Sequence, residues 1–191
     1  MDEKLGLEPE QRVSNELKQA GCALAIFVPF QIAAILLKLL TGIEISHQSI
    51  WNWVQEAGKK EMDRLSKELE KLQSGEKPEI EPITPEIAAL PMALGADGVN
   101  VPFRPNGGSP KGKTKFQQIK IGVVARIKKF FNKLGKPVTR IERKRVVAVL
   151  GTIENLRDRL WLEALKQNVY LAFPVVWISD GGAGLWRIFQ E

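Results

Sequence analysis

Apolar residues in the first 73 positions recur at helical spacing and show none of the strict alternation that is typical of strands. One helix is predicted from Pro29, which suits a first helical turn, to Leu40. Its inward stripe comprises Phe30, Ala33, Ala34, Leu37 and Leu40. Thr41 and Gly42 should end this helix, because glycine readily adopts the left-handed conformation that follows a helix.

A second helix is predicted from an N-cap at Ser46 to a position near Gly58, and its two faces differ. The face predicted to turn toward the core carries Ile50, Trp53, Val54 and Ala57. The other face carries Gln48, Trp51, Asn52 and Gln55. Carboxamides can pair with adenine in the major groove, so the helix pair is interpreted as a DNA-binding helix-turn-helix. An ordinary amphipathic helix with a solvated amide face is the alternative, and residues 1–60 hold six bases against seven acids.

A third helix is predicted over Lys59 to Gln73, where leucines and a methionine alternate at three- and four-residue spacing. This seam, formed by Met62, Leu65, Leu69 and Leu72, predicts either a homodimer or packing against the preceding helices. Packing is favoured, because two heptads make a marginal coiled coil.

The chain divides into three regions: helical residues 1–73, a proline-rich linker at 74–91, and residues 92–191, where short β-rich runs appear. Strands are predicted around Asp97, over Gln118 to Ile127, over Val138 to Leu150, and at 175–178. An amphipathic helix from Ile153 to Gln167, capped by Thr152, precedes the last strand. The fold class is therefore α+β or α/β, with an incomplete RNase H-like β-β-β-α-β core after the helical region.

Two aspartates occupy informative positions in this order: Asp97 lies on the first strand and Asp180 just past the fourth. In an RNase H-like sheet these strands are neighbours, so the two carboxylates are expected to meet. Paired carboxylates repel unless a cation neutralises them, and oxygen ligands favour Mg²⁺ or Mn²⁺. Such a site suits phosphoryl transfer. The alternative is that each Asp-Gly pair only shapes a turn.

Composition narrows the chemistry further. A single cysteine and a single histidine leave little scope for disulfides, zinc sites or a serine-histidine triad. The segment from Arg104 to Arg145 contains fourteen Lys and Arg residues and one acid. This charge predicts a DNA-binding block. We expect the contacts from Lys111, Lys113, Lys115, Arg126, Arg143, Lys144 and Arg145. A solvated basic loop is the alternative.

The polar, acidic N-terminus is unlike a signal peptide. Pro29, Gln31 and Lys38 interrupt the apolar stretch from Cys22 to Leu40, so we expect no membrane span. The expected location is the cytoplasm, in association with the nucleoid.

Several segments resemble one family closely and in order. GADGVNVPF, FQQIKIGVVARI, RKRVVAVLGTIENLRDRLWLEAL and VVWISDGGAGLWRIF are similar to the core of insertion-sequence transposases of the Kra type. VPFQIAAILLKLLTGIEISHQSIWNWVQEAG resembles the helix-turn-helix before that core. The resemblance implies a DDE transposase that binds transposon end repeats and uses Mg²⁺. Asp97 and Asp180 match its first two catalytic acids.

Members of that family continue beyond the second aspartate to a catalytic glutamate. Glu191, eleven residues after Asp180, does not match that glutamate. The resemblance therefore implies a truncated chain that is inactive unless another chain completes it. A DNA-binding competitor that occupies transposon ends without catalysis is the alternative function.

Overall fold

The computed structural model describes residues 13–103, 114–180 and 183–190, which form two compact units divided after Lys67. The helices are α1 (Asn15–Phe27), α2 (Phe30–Thr41), α3 (His47–Gln73), α4 (Pro85–Ala88), α5 (Ile153–Lys166) and α6 (Ala183–Gln190). The strands are β1 (Met92–Phe103), β2 (Lys115–Phe131), β3 (Pro137–Val149) and β4 (Val175–Ser179). The predicted mixed α+β class and the β-β-β-α-β order are confirmed.

The first unit packs α1, α2 and the beginning of α3 around a small core. Ala33, Leu37 and Ile50 are fully buried at its centre. The predicted turn is confirmed, since Gly42 adopts the left-handed conformation with φ 73° and its N–H donates to the Lys38 carbonyl. The Ser46 hydroxyl accepts from the Ser49 N–H at 3.0 Å and so caps α3.

Two details of the helical prediction are wrong. Leu40 is 75% exposed and Ala57 is exposed, so the buried stripes end earlier than predicted. The break near Gly58 is absent, because α3 runs on to Gln73 as one helix. A single glycine costs only about 1 kcal/mol in a helix interior, and the Glu56–Lys60 pair, which spans Gly58, and the Glu61–Arg64 pair, which follows it, support the helix here. The seam leucines are half-buried and Met62 is exposed, so dimerisation stays a prediction.

The second unit is built on a four-stranded mixed sheet in the order β3-β2-β1-β4. β1 and β2 are antiparallel, as are β2 and β3, whereas β4 is parallel to β1. The prediction that the first and fourth strands are neighbours is therefore confirmed. A crossover through α5 makes the parallel pairing possible.

Helices α5 and α6 cover one face of this sheet. Leu156, Leu160 and Ala164 of α5 pack on Val124 and Trp177, and Leu185 and Ile188 of α6 join the same core. A Cβ at Gly122 would lie 2.8 Å from the Leu160 side chain, so this glycine allows α5 to approach β2. Thr152 caps α5 as predicted, its hydroxyl accepting from the Asn155 N–H.

The predicted linker is partly structured and packed onto the second unit. The Glu81 N–H donates to the Lys166 carbonyl at 2.9 Å, and Thr84 precedes the short helix α4. In the sequence, the alternating prolines and apolar residues of this segment resemble an extended linker. In the structure, the segment packs against the second unit. Among the residues with described positions, no helix combines the length and the apolar character needed to cross a bilayer.

Candidate functional site

The two candidate catalytic aspartates follow paired positions at one end of the β1–β4 pair. The parallel register joins Ala96 to Ser179, so the next residue on each segment is Asp97 and Asp180 respectively. Both carboxylate-bearing residues are exposed. The sheet therefore brings two chain segments that carry aspartates 83 positions apart in sequence onto neighbouring strands.

The alternation of β1 decides which face Asp97 occupies. Met92 and Ala96 belong to the core beneath α5, so Asp97 points to the opposite face. Its Oδ1 accepts from the Gly98 N–H at 2.7 Å, which fixes one oxygen close to its own backbone. Next to Asp180, the Ser179 hydroxyl accepts from the Trp177 indole N–H at 3.1 Å and donates to the Asp180 carbonyl. These contacts orient the backbone around both carboxylates.

The donor set fits a hard divalent cation. Mg²⁺ is commonly held by one or two carboxylates, with water and substrate phosphate oxygens completing its shell. Within the described ranges, no group of three or more His, Cys, Asp and Glu residues is placed to hold a metal ion. A third protein ligand is not required for this mode of binding.

The predicted DNA contact at Arg126 is wrong. This arginine is 0% exposed, because the β1–β2 register pairs it with Met92 on the face beneath α5. Its guanidinium donates to the carbonyls of Leu90 and Asn168, each at 2.8 Å, and to that of Gln167. Burial lowers the pKa of Arg126 from its ordinary value, although an arginine stays protonated at neutral pH. Arg126 is a structural cation.

The three predicted DNA contacts on β3 lie on different faces of the sheet. Arg143 and Arg145 pair in register with Arg126 and Val124, on the face covered by α5, whereas Lys144 lies on the opposite face and is exposed. Both arginines bind the Glu81 carboxylate, Arg145 at 2.6 Å. Arg143 is half-buried and donates to the Pro82 carbonyl as well, so its predicted role in DNA contact is replaced by a structural one.

Two of the predicted lysines, Lys111 and Lys113, lie outside the described residues. Lys115 begins β2 opposite Phe103 and is exposed. Lys115 and Lys144 therefore remain as exposed cations that form no ion pair with a described carboxylate.

We expect Glu81→Gln to lower the free energy of unfolding at pH 7 by about 1–2 kcal/mol, because the two arginines then face a neutral amide, which accepts weaker hydrogen bonds than a carboxylate. Burial acts to raise the pKa of the Glu81 carboxyl, but hydrogen bonds from Arg145 and Arg143 outweigh it and hold that pKa below its ordinary value of 4.5. The stabilisation is therefore present above pH 4.5 and is lost as the pH falls through the lowered pKa. Urea unfolding at pH 7 and at pH 3 measures it.

The exposed Glu79→Gln is the matched control, and its unfolding curve should stay close to wild type at both pH values. Equal stability of Glu81→Gln and Glu79→Gln at pH 7 would contradict the assignment.

The amide face of α3 is exposed as predicted. Gln48, Trp51, Asn52 and Gln55 are all accessible, and the Gln48 amide donates to the Asn52 carbonyl oxygen at 3.3 Å. This weak contact pre-aligns two carboxamides on neighbouring turns. Their use in reading bases stays a prediction.

Two features were missed by sequence reasoning. The distal end of the β2–β3 hairpin is exposed and basic, a feature signalled by the Lys-Lys-Phe-Phe run at 128–131. A cavity of about 370 Å³ lies between the sheet, α5 and α6 and is lined by Leu94, Arg157, Asp158, Leu160, Trp161, Ala164, Trp177, Ile188 and Phe189. The cavity depends on how α6 packs, and the sequence carries no local signal for that packing.

In comparisons with known proteins, neither a protein-family model nor a curated protein sequence matched this chain.

Proposed function

We propose that this chain is a DDE-type transposase polypeptide with an RNase H-like core, which binds transposon end DNA and uses Asp97 and Asp180 for strand cleavage and joining. The observation that carries the proposal is the β1–β4 register, which makes these two aspartates the next residues after a paired position on adjacent parallel strands. The sheet order and the sequence resemblance support it. Action on DNA would take place in the cytoplasm, at the nucleoid.

Mg²⁺ or Mn²⁺ bound by the two carboxylates would activate the attacking oxygen and stabilise the leaving 3′ oxygen. The role of Asp97 and Asp180 is to hold that charge at the exposed end of the sheet, where a DNA backbone can approach. Their mutual repulsion favours a bound cation over an empty pair. The Gly98 N–H, by holding one oxygen of Asp97, limits the rotation of its carboxylate.

Cleavage of a labelled transposon-end duplex tests the proposal. The full chain is incubated with the end duplex or with a scrambled duplex, in Mg²⁺, in Mn²⁺ or in EDTA. Metal-dependent nicking that prefers the end duplex is the expected result once a third acid, from this chain or from another, completes the site. Equal nicking of both duplexes would indicate a nuclease without end recognition and would overturn the assignment to a transposase.

A second candidate function is occupancy of transposon ends without catalysis. It is favoured by the fact that the described residues contain no group of three His, Cys, Asp or Glu side chains placed to hold a metal ion, whereas a DDE site uses three acids. End-specific binding with no nicking in either metal would support it. Absence of both binding and nicking would overturn both candidates.

The helical unit makes a separate prediction. We expect Asn52→Ala to lower the preference for the end duplex over the scrambled duplex by about tenfold, since one bidentate carboxamide–adenine pair contributes about 1–3 kcal/mol of discrimination. Affinity for the scrambled duplex should hardly change. Fluorescence anisotropy measures both, with Gln19→Ala, an exposed amide on α1, as the control. An unchanged preference in Asn52→Ala would remove α3 as a base-reading helix.

A further inference from the structure

The distal part of the β2–β3 hairpin projects beyond the rest of the sheet. β1 pairs with β2 only as far as Met92 and Arg126, so residues from Lys128 onward pair with β3 alone. We call residues 128–140 the basic hairpin. Four paired residues on each side give it a strand length of about 13 Å before the turn. A register shift between Arg126 and Ile127 marks the point where the hairpin leaves the sheet.

The charge of the basic hairpin is entirely positive. It contains five cations and no acid: Lys128, Lys129, Lys133, Lys136 and Arg140. All five are exposed. The nearest carboxylate contact is Glu142, whose Oε1 lies 3.7 Å from Arg140 Nε and is too far for a strong hydrogen bond. This surface attracts a polyanion.

The tip is held rigid by its own side chain. Asn132 Oδ1 accepts from the N–H groups of Leu134 and Lys136, at 2.9 and 3.0 Å. Gly135 adopts φ 71° and donates to the Asn132 carbonyl. The turn therefore holds its exposed residues, among them Leu134, which is 80% exposed, in one fixed shape. A pre-organised tip loses little conformational entropy on binding.

Cations lie on both faces of the basic hairpin. Lys128 and Arg140 are register partners and share one face, whereas Lys129 lies on the other. Phe130 and Phe131 are likewise on opposite faces. A lipid surface would require the apolar rings to enter one plane together, which opposite faces prevent. The major groove, about 12 Å wide and bordered by phosphates on both sides, admits a two-stranded ribbon with cations on both faces.

We infer that the basic hairpin is a DNA-binding β-ribbon that enters the major groove of duplex DNA. Its lysines and Arg140 contact the phosphates of the two flanking strands, and the rigid tip fills the groove. The inference rests on the proposed function for the choice of DNA among polyanions. It adds a contact surface that is separate in sequence from both the aspartate pair and the amide face of α3.

The test compares two charge-matched triple variants of the full chain. The first is Lys128→Gln, Lys129→Gln and Arg140→Gln. The control is Lys67→Gln, Lys71→Gln and Lys77→Gln, which removes three exposed lysines elsewhere. Binding to a 24-bp duplex is measured by anisotropy from low to high salt. The slope of log K against log salt is negative, and in the hairpin variant its magnitude should be smaller by about 2.7, at roughly 0.9 for each lost phosphate contact.

The control variant should keep the wild-type slope, and thermal melting should show that both variants fold. Protection of guanine N7 from methylation, which is lost in the hairpin variant, would place the ribbon in the major groove. Equal slopes for the two triple variants would overturn the inference. The inference would also be overturned if the hairpin variant lost binding only to single-stranded DNA or only to phosphatidylserine vesicles.

The outcome is separable from that of the proposed function. Binding measured in EDTA, which withholds the metal that cleavage requires, should still show the difference in salt slope between wild type and the hairpin variant. Hairpin-dependent binding without metal-dependent cleavage would contradict catalysis and leave the ribbon standing. If the hairpin variant cleaves DNA at the wild-type rate at both low and high salt, that result would contradict the ribbon and leave the proposed function intact.

Discussion

Asp97→Asn is expected to lower the rate of metal-dependent cleavage of a transposon-end duplex at least a thousandfold, equivalent to about 4 kcal/mol of transition-state stabilisation. Asparagine is nearly the same size as aspartate but carries no charge, so it removes the attraction for a divalent cation and leaves the strand intact. Asp180→Asn should have a similar effect, because the two residues follow register partners on adjacent strands. The measurement is single-turnover nicking at saturating Mn²⁺.

The double variant distinguishes a shared site from two independent contributions. Residues that act as one unit are non-additive, so Asp97→Asn with Asp180→Asn should be hardly slower than either single variant. Calorimetric titration with Mn²⁺, which does not depend on turnover, should show weaker binding in all three. Asp63→Asn, at an exposed position on α3, is the control and should match wild type. Full activity in either single variant would refute the pair as the metal site.

Much of the second unit could be predicted because its strands have strong local signals. The apolar run at 175–178 and the alternation after Gln118 give β4 and part of β2 without tertiary information. The pairing of β1 with β4 followed from the predicted strand order. The sequence could not give the length of β2, because its distal end is half of an exposed hairpin in which lysines replace the usual apolar alternation.

The roles of individual arginines could not be predicted, because they depend on register. Arg126 and Lys144 look equivalent in a basic sequence. Neighbouring residues on a strand point to opposite faces of the sheet, so a side chain beneath α5 is followed by one on the open face. Glu81, which neutralises Arg143 and Arg145, is more than sixty positions away in a segment that resembles a spacer. Long-range pairing of this kind leaves no local signal.

Arg126 ties together the segments from which β1 and β4 begin. Its guanidinium reaches the Leu90 carbonyl, two residues before β1, and the carbonyls of Gln167 and Asn168, at the end of α5. The chain then turns at Asn168, whose φ is 52°, toward β4. One buried cation therefore holds the entry points of the two strands whose register brings Asp97 and Asp180 together.

Arg126→Met should lower the free energy of unfolding by about 3–5 kcal/mol, because the buried Gln167 carbonyl and the partly buried carbonyls of Leu90 and Asn168 lose their donor at once, each worth about 1–3 kcal/mol. That is a large share of a typical domain's stability of about 5–15 kcal/mol. Arg126→Lys should recover little of it, since one ammonium cannot replace a fork of donors that reaches three acceptors. The adjacent Gln167 side chain is also fully buried, and its amide has no hydrogen-bond partner among the described residues. Gln167→Met should therefore be neutral or stabilising, and urea unfolding measures all three variants. A loss below 1 kcal/mol in Arg126→Met would show that the carbonyls are satisfied in another way and that β1 and β4 do not depend on this cation for their register.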